Sequence, residues 1–148
     1  MLSFEEMVSP KNAAVLVIDV QNDFCHPEGA QAKKGIDVSA MTAVVPNIQR
    51  LIDEARRATA PVIFIRNGNT NWTISEAWMN KKGGAGTSHM CREGTFGCQL
   101  YKVQPLPEEA LVIKYRFSGF IGTNLDLILR NNHIKTLIMS GVTTNTCV

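Results

Sequence analysis

Short apolar runs constrain the fold of this chain more than any other sequence feature. An apolar run without alternating polar residues is typical of a strand that is covered on both faces, as in a parallel sheet. Helical patterns between such runs predict βαβ units with right-handed crossovers. We therefore expect an α/β fold with a mostly parallel sheet and helices on both faces. The predicted strands are Ala13–Val20, Pro61–Arg66, Leu111–Lys114 and Thr136–Met139.

The segments between the predicted strands are less regular. Apolar residues recur at helical spacing from Met41 to Ala58, although Pro46 predicts that the regular helix begins only just before that proline. Thr123 to Asp126 fits a capping box and predicts a helix that runs through Arg130. Turn residues predict a loop from Gln21 to Gly35. In the long Gly- and Asn-rich stretch 67–97, a single helical turn is predicted, at 75–80.

Composition places the chain among ordinary globular proteins. Its 148 residues suit one domain over residues 1–148, with 45% hydrophobic and 19% charged residues. A net charge of +2 argues against a nucleic-acid or membrane-surface partner. Four cysteines do not form a disulfide framework in a chain of this length, and there is no signal peptide pattern or membrane-spanning stretch. The predicted location is cytoplasmic.

Three reactive side chains stand at or after the ends of different predicted strands. Asp19 lies at the end of the first apolar run, Lys114 closes the third, and Cys147 follows the fourth after a break at Ser140-Gly141. Parallel strands end at one edge of a sheet, where ligands and reacting groups gather, so the three groups can meet there. Each also has a structural interpretation: Asp19 as a loop anchor, Lys114 as a solvated strand end, Cys147 as a small buried hydrophobe.

Together these groups are suited to nucleophilic catalysis. A free thiol is mostly protonated at neutral pH and needs a base, which Asp19 would supply. Lys114 would hold Asp19 and stabilise the ionised thiol. Backbone N–H groups of Thr143 and Cys147 would stabilise an oxyanion. We therefore predict that Asp19, Lys114 and Cys147 are the catalytic residues.

The motifs around these residues resemble those of the isochorismatase-like superfamily of cysteine hydrolases. The matching segments are VIDVQNDF (17–24), GTFG (94–97), IKYRFSGF (113–120) with the GTNLDLILR that follows, and SGVTTNTCV (140–148). The resemblance implies a Rossmann-like, three-layer αβα fold with catalytic Asp19, Lys114 and Cys147. It also implies a non-proline cis peptide bond between Val142 and Thr143 that aims the oxyanion hole.

Within that superfamily the chain looks most like ureidoacrylate amidohydrolases and N-carbamoylsarcosine amidases. The resemblance implies hydrolysis of a small linear amide or ureido compound through an acyl- or carbamoyl-cysteine. Asn22, Phe24 and Trp72 are candidates for lining the substrate pocket, and Arg116 for pairing with a substrate carboxylate. Each of these could equally serve loop packing or face water. Family relatives are often dimers or tetramers, so a homo-oligomer is expected.

Two departures from the family pattern qualify this interpretation. Nicotinamidases carry a metal-binding Asp-x-His cluster after the second strand, where this chain has Asn67-Gly68-Asn69. We therefore predict no metal and no cofactor, and His89, Cys91 and Cys98 have no zinc-site spacing. The family also continues well beyond the cysteine, so we expect this chain to be a fragment that lacks the C-terminal part of the fold.

Two alternative functions remain open at this stage. The chain could be a non-catalytic domain or fragment of this fold that acts in assembly or binding. Nucleotide binding would depend on the cluster Gly83-Gly84-Ala85-Gly86. That cluster neither follows a predicted strand nor opens a helix, so it more closely resembles a flexible loop.

Overall fold

The computed structural model describes residues 3–76 and 90–148 of the chain. The strands are β1 (Ala13–Ile18), β2 (Val62–Asn67), β3 (Ala110–Lys114) and β4 (Thr136–Gly141). The helices are α1 (Phe4–Val8), α2 (Asn22–Cys25), α3 (Ala30–Lys33), α4 (Ser39–Arg57) and α5 (Leu125–Asn131), and a 3₁₀ turn spans Phe96–Cys98. The glycine cluster 83–86, His89 and most of the predicted turn 75–80 lie outside the described residues. No described helix has the length and apolar composition that crossing a membrane requires.

The strands form one parallel sheet in the order β3-β2-β1-β4. β1 pairs with β2 on one side and with β4 on the other, and Ile18 is in register with both Ile65 and Gly141. On the outer side of β2, Asn67 is in register with Lys114. All strands therefore end at a common edge, as the sequence predicts.

Helices cover both faces of this sheet and give the predicted three-layer αβα arrangement. On one face, α4 packs its buried side chains against β1 and β2, and Phe64 is fully buried in the contact. On the other face, Leu125 and Leu129 of α5 pack against the alternate residues of the same strands. Because β1 is covered on both sides, all six of its residues are buried. This double burial accounts for the unbroken apolar run in the sequence.

Several local predictions need correction. Helix α4 begins at Ser39, well before Pro46, and the proline lies inside the helix. The predicted loop 21–35 contains the short helices α2 and α3. At α5 the Thr123 hydroxyl accepts a hydrogen bond from the Leu125 N–H at 3.2 Å, but Asn124 is the N-cap and makes no side-chain cap bond, so no capping box forms there.

Strand β4 differs from the fully buried strand that its sequence suggests. None of its residues is buried, and Met139 is 44% exposed. The cause is its position, since β4 lies at one edge of the sheet and pairs with β1 alone among the described strands.

Candidate active site

Asp19 is placed by an abrupt change of backbone direction at the end of β1. Its φ of 53° takes the chain out of the extended conformation. The Asp19 N–H still donates to the Ile65 carbonyl at 2.8 Å, which keeps the residue against β2. The side chain is fully buried. Strand β1 therefore ends one residue before the carboxylate and presents it at the edge of the sheet.

Lys114 extends across the end of β2 to reach this carboxylate. Its Nζ lies 2.8 Å from Asp19 Oδ2, and neither side chain is exposed. The same ammonium donates to the Phe117 carbonyl at 2.8 Å and to the Arg116 carbonyl at 3.1 Å. A buried charge is tolerated when it is paired and hydrogen-bonded, and Lys114 has one ion pair and two carbonyl acceptors. Apart from this ion pair, neither Asp19 oxygen has a hydrogen-bond partner among the described residues.

Cys147 reaches the same edge through a tight bend after β4. Gly141 has a φ of 127°, and the peptide bond between Val142 and Thr143 is cis. A helical turn follows, in which the Cys147 N–H donates to the Thr143 carbonyl at 3.1 Å. The Cys147 side chain is half-buried and lies close enough to interact with both the Asp19 carboxylate and the Lys114 ammonium. The structure thus brings Asp19, Lys114 and Cys147 together.

The electrostatics of this group keep the resting proton on the thiol and make the carboxylate more basic. Burial raises the pKa of Asp19 above its ordinary value, although the positive charge of Lys114 and the neighbouring Cys147 thiol oppose the rise. Burial and the negative charge of Asp19 raise the pKa of Cys147 to about 12, while Lys114 lowers it. The resting thiol therefore keeps its proton at neutral pH. A carboxylate with a raised pKa is a stronger base than an ordinary aspartate.

One of the two predicted oxyanion-hole donors, the Cys147 N–H, already makes a hydrogen bond within the chain. The N–H groups of Thr146, Cys147 and Val148 converge on the Thr143 carbonyl at 3.1, 3.1 and 3.2 Å. For Cys147 N–H to bind an oxyanion, it would have to leave or share that bond. The expected donor pair, Thr143 and Cys147, therefore stays a prediction.

A cavity of about 300 Å³ opens beside the thiol. Its floor is formed by apolar residues of the sheet, among them Ile18 and Ile65, and Phe117 and Phe120 stand on the β3–α5 loop. Cys147 borders the cavity next to Thr146 and Val148. An apolar space of this size next to a nucleophile suits a small, uncharged portion of a substrate.

The predicted substrate-binding residues occupy separate places. Asn22 is buried and its amide donates to the Phe96 carbonyl at 2.8 Å, and Phe24 packs against the core beneath α4. Trp72 is 96% exposed. The Arg116 guanidinium donates to the Thr73 carbonyl at 3.1 Å and to the Tyr115 carbonyl at 2.6 Å. None of these four residues borders the cavity beside Cys147. Their role in substrate binding stays a prediction.

Cysteines other than Cys147 lie in the interior. Cys25, Cys91 and Cys98 are buried and free. The Cys98 sulfur is 2.8 Å from an Arg66 nitrogen, and Arg66 also forms an ion pair with Glu93. Among residues 3–76 and 90–148, no three His, Cys, Asp or Glu side chains are grouped so that they could hold a metal ion.

Sequence reasoning missed a buried polar residue next to the site. Gln21 is fully buried two residues after Asp19, and its side chain bonds to the backbone of Asn67 and Cys98. A polar residue that directly follows a buried strand is the signal that could have identified it. The Asn67 side chain is also buried, and its Oδ1 has no hydrogen-bond partner among the described residues.

Comparison with known proteins agrees with this geometry. A family model described as the isochorismatase domain matches residues 13–148. The chain is 32% identical to the ureidoacrylate amidohydrolase RutB of Agrobacterium fabrum, covering 95% of this chain and 68% of that protein. It is also 32% identical to the protein of the same name from Pseudomonas savastanoi pv. phaseolicola, of which it spans 63%.

Solved structures show the same fold. A cysteine hydrolase from Pseudomonas syringae pv. phaseolicola superimposes with a TM-score of 0.81 at 26% identity, covering 95% of this chain and 64% of that one. An N-carbamoylsarcosine amidase from Thermoplasma acidophilum gives a TM-score of 0.73 at 24% identity, over 93% of this chain and 71% of that one. The chain therefore spans about two thirds of the length of these relatives.

Proposed function

Because the chain belongs to the isochorismatase family, we propose that it is a cysteine hydrolase that cleaves a C–N bond of a small linear amide or ureido compound. The observation that carries the proposal is the buried Asp19–Lys114 ion pair, 2.8 Å long, beside the half-buried Cys147 thiol. A paired acid and base next to a nucleophile is the arrangement that covalent catalysis requires. The activity is proposed for the whole protein to which these residues belong.

The proposed reaction proceeds in two halves with Asp19 as the shuttle for one proton. Asp19 takes the thiol proton as the Cys147 sulfur attacks the carbonyl carbon. It then gives that proton to the leaving nitrogen, the C–N bond breaks, and an acyl- or carbamoyl-cysteine remains. In the second half Asp19 removes a proton from water, which attacks the carbonyl carbon; the C–S bond breaks and Asp19 returns the proton to the departing sulfur. Lys114 stays positive throughout and stabilises whichever neighbour is negative.

The substrate class follows from the relatives rather than from the cavity. Two similar proteins are named ureidoacrylate amidohydrolases, so a ureido compound that carries a carboxylate is the first candidate. Arg116 lies on the same loop as the cavity residue Phe117 and is the proposed partner for that carboxylate. Asn22, Phe24 and Trp72 complete the proposed contacts. A cytoplasmic homo-oligomer, dimer or tetramer, with one catalytic domain per chain is proposed as the working form.

Ammonia release from a panel of ureido acids and small amides tests the proposal. We expect the full-length protein to release ammonia and the Cys147→Ala variant to lose at least about 1,000-fold in kcat, as is usual when a nucleophile is removed. Cys25→Ala is the matched control, because Cys25 is buried in the core under α4. Release by Cys147→Ala at the parent rate would refute the assignment.

A second candidate is a non-catalytic domain that serves assembly or binding. It is favoured by β4, whose residues are all partly exposed and whose outer edge is unpaired among the described strands. Alkylation with iodoacetamide separates the two functions. Rapid selective labelling of Cys147 supports the enzyme, whereas an inert thiol in a folded, self-associating protein supports the binding domain.

A further inference from the structure

Gln21 makes an unusual set of hydrogen bonds next to the candidate active site. Its Oε1 accepts from the Asn67 N–H at 2.8 Å, and its Nε2 donates to the Asn67 carbonyl at 2.9 Å and to the Cys98 carbonyl at 2.7 Å. The side chain has no solvent exposure. A buried amide is tolerated where its donors and acceptor are satisfied, and here they are satisfied by main chain alone.

These bonds take the place of the backbone hydrogen bonds that β1 would otherwise make to the end of β2. Strand β1 leaves the sheet at Asp19, so no β1 backbone remains beside Asn67 at the end of β2. The Gln21 amide bonds both the N–H and the carbonyl of Asn67, as a neighbouring strand would. It therefore fixes the last residue of β2 on the side from which β1 has departed.

The end of β2 lies directly under the candidate catalytic ion pair. The strand order β3-β2-β1 puts β2 between Lys114 and Asp19, and Asn67 is in register with Lys114. Lys114 must therefore cross β2 at Asn67 to reach the Asp19 carboxylate. The Asn67 backbone also lowers the pKa of Asp19, against the larger effect of burial. A displacement of Asn67 would change both the distance that Lys114 must span and the environment of the Asp19 carboxylate.

We propose that Gln21 is a positioning residue, which clamps the end of β2 so that Lys114 reaches Asp19 and both remain aligned with Cys147. The inference rests on the proposed function, since it assigns Gln21 a role in that same reaction. Gln21 touches none of the reacting atoms in this account. Gln21 acts through Asn67, because the position of Asn67 determines the distance between the strands that carry Asp19 and Lys114.

Two substitutions test this role. Gln21→Met keeps the length of the side chain and removes all three hydrogen bonds. We expect kcat to fall about 10- to 100-fold with KM changed less than about threefold, as misalignment of about 1 Å produces. Alkylation of Cys147 by iodoacetamide should slow at a given pH, and its pH profile should move to higher pH, because Lys114 lowers the pKa of that thiol.

Gln21→Glu should show a pH dependence of activity that a loss of stability alone would not produce. When protonated, the glutamic acid offers one donor and one acceptor and restores two of the three bonds. When ionised, it faces the Asn67 and Cys98 carbonyls and adds a negative charge near Asp19. The other charged groups at this end are Lys114, the buried Asp23 carboxylate and the Arg66–Glu93 pair, whose arginine contacts Cys98. We expect the activity of Gln21→Glu relative to Gln21→Met to rise as pH falls.

Thr42→Val is the control for loss of a part-buried side-chain hydrogen bond to the main chain. Thr42 lies on α4, away from Asn67, and its hydroxyl donates to the Cys25 carbonyl at 2.7 Å. Thr42→Val should lower the stability and leave kcat and the alkylation profile unchanged. A folded Gln21→Met with parental kcat and parental alkylation would overturn the proposal, as would a Gln21→Glu without acid rescue. A parent protein that releases no ammonia would instead refute the proposed function, and the alkylation profiles would still test Gln21.

Discussion

Asp19 and Lys114 form an ion pair that is fully buried, and this burial determines both the stability of the pair and the pKa of Asp19. Two charges removed from solvent are stabilised only if their geometry and their remaining hydrogen bonds are good. Lys114 meets this condition, because its other two donors reach the Arg116 and Phe117 carbonyls. Asp19 meets it less fully, so burial leaves its pKa raised in spite of the neighbouring ammonium. The pair therefore combines a fixed cation with a carboxylate that readily accepts a proton.

Asp19→Asn should separate thiol ionisation from turnover. The variant keeps the shape of the side chain and removes the negative charge that raises the pKa of Cys147. We expect Cys147 to be alkylated faster at pH 7 to 8, whereas kcat for amide hydrolysis falls about 100- to 10,000-fold because the base is lost. Rates of iodoacetamide labelling and of ammonia release on the same preparation check both effects. Parallel loss of both rates in a folded variant would contradict the role of Asp19 as base.

Lys114→Met should act in the opposite direction on the thiol. Without the ammonium, the pKa values of both Asp19 and Cys147 rise further, since Lys114 lowers each of them. Asp19 is active as a carboxylate, and activity is lost as pH falls through its pKa, so the acid limb of the pH–rate profile should move to higher pH. Removal of one partner of a buried pair should also cost about 3 to 5 kcal/mol of stability. An unmoved acid limb in folded Lys114→Met would argue against the coupling.

At the scale of elements, the end of β4 depends on a glycine. A Cβ at Gly141 would lie 2.0 Å from the Ile18 carbonyl oxygen, and the backbone φ of 127° is strained for any other residue. The bend that follows carries Cys147. The absence of a side chain at this position therefore allows β4 to pack against β1 and then turn toward Asp19.

Gly141→Ala should accordingly be far more damaging than another glycine substitution at positive φ. We expect a loss of more than about 3 kcal/mol of stability, from strain together with the overlap, and slower alkylation of Cys147. Gly35→Ala is the control, because its φ is 79° but nothing lies within 4 Å of the added methyl group. That variant should lose about 1 kcal/mol. Urea unfolding of both variants checks the difference, and equal losses would show that the contact with Ile18 is unimportant.

The sequence predicted the elements whose composition is set by burial. It did not predict features that depend on backbone conformation or on the order of the strands. β1 was predictable because both of its faces are covered, and α4 because one face packs on the sheet. The start of α4 was not, since Pro46 suggested a later beginning than Ser39. Asp19 and Lys114 could be placed at one edge, but their contact could not. The contact between Asp19 and Lys114 depends on the strand order and on the positive φ at Asp19, and a single sequence predicts neither.

Across the whole molecule, the four cysteines share one property, which is a thiol pKa raised by burial. Burial raises the pKa of Cys98 to about 11 and of Cys25 to about 12, and it raises that of Cys91 as well. Cys147 differs in being half-buried and next to a charge pair, although its pKa is also raised. The interior thiols are therefore poor nucleophiles at neutral pH, which leaves Cys147 as the accessible one.

This shared burial predicts a protein that loses stability in alkali. Unfolded thiols ionise near pH 9, whereas the pKa of Cys25 in the folded chain is about 12. Between these values the unfolded state binds fewer protons than the native state, so the free energy of unfolding falls as pH rises, by up to about 1.4 kcal/mol per pH unit for each fully protected thiol. We expect urea unfolding under reducing conditions to show this decline from about pH 9 upward. The decline should be shallower in Cys25→Ala and also in Cys147→Ala, because the pKa of Cys147 is likewise raised to about 12. Identical slopes in parent and Cys25→Ala would mean that the Cys25 thiol ionises as readily in the folded chain as in the unfolded one.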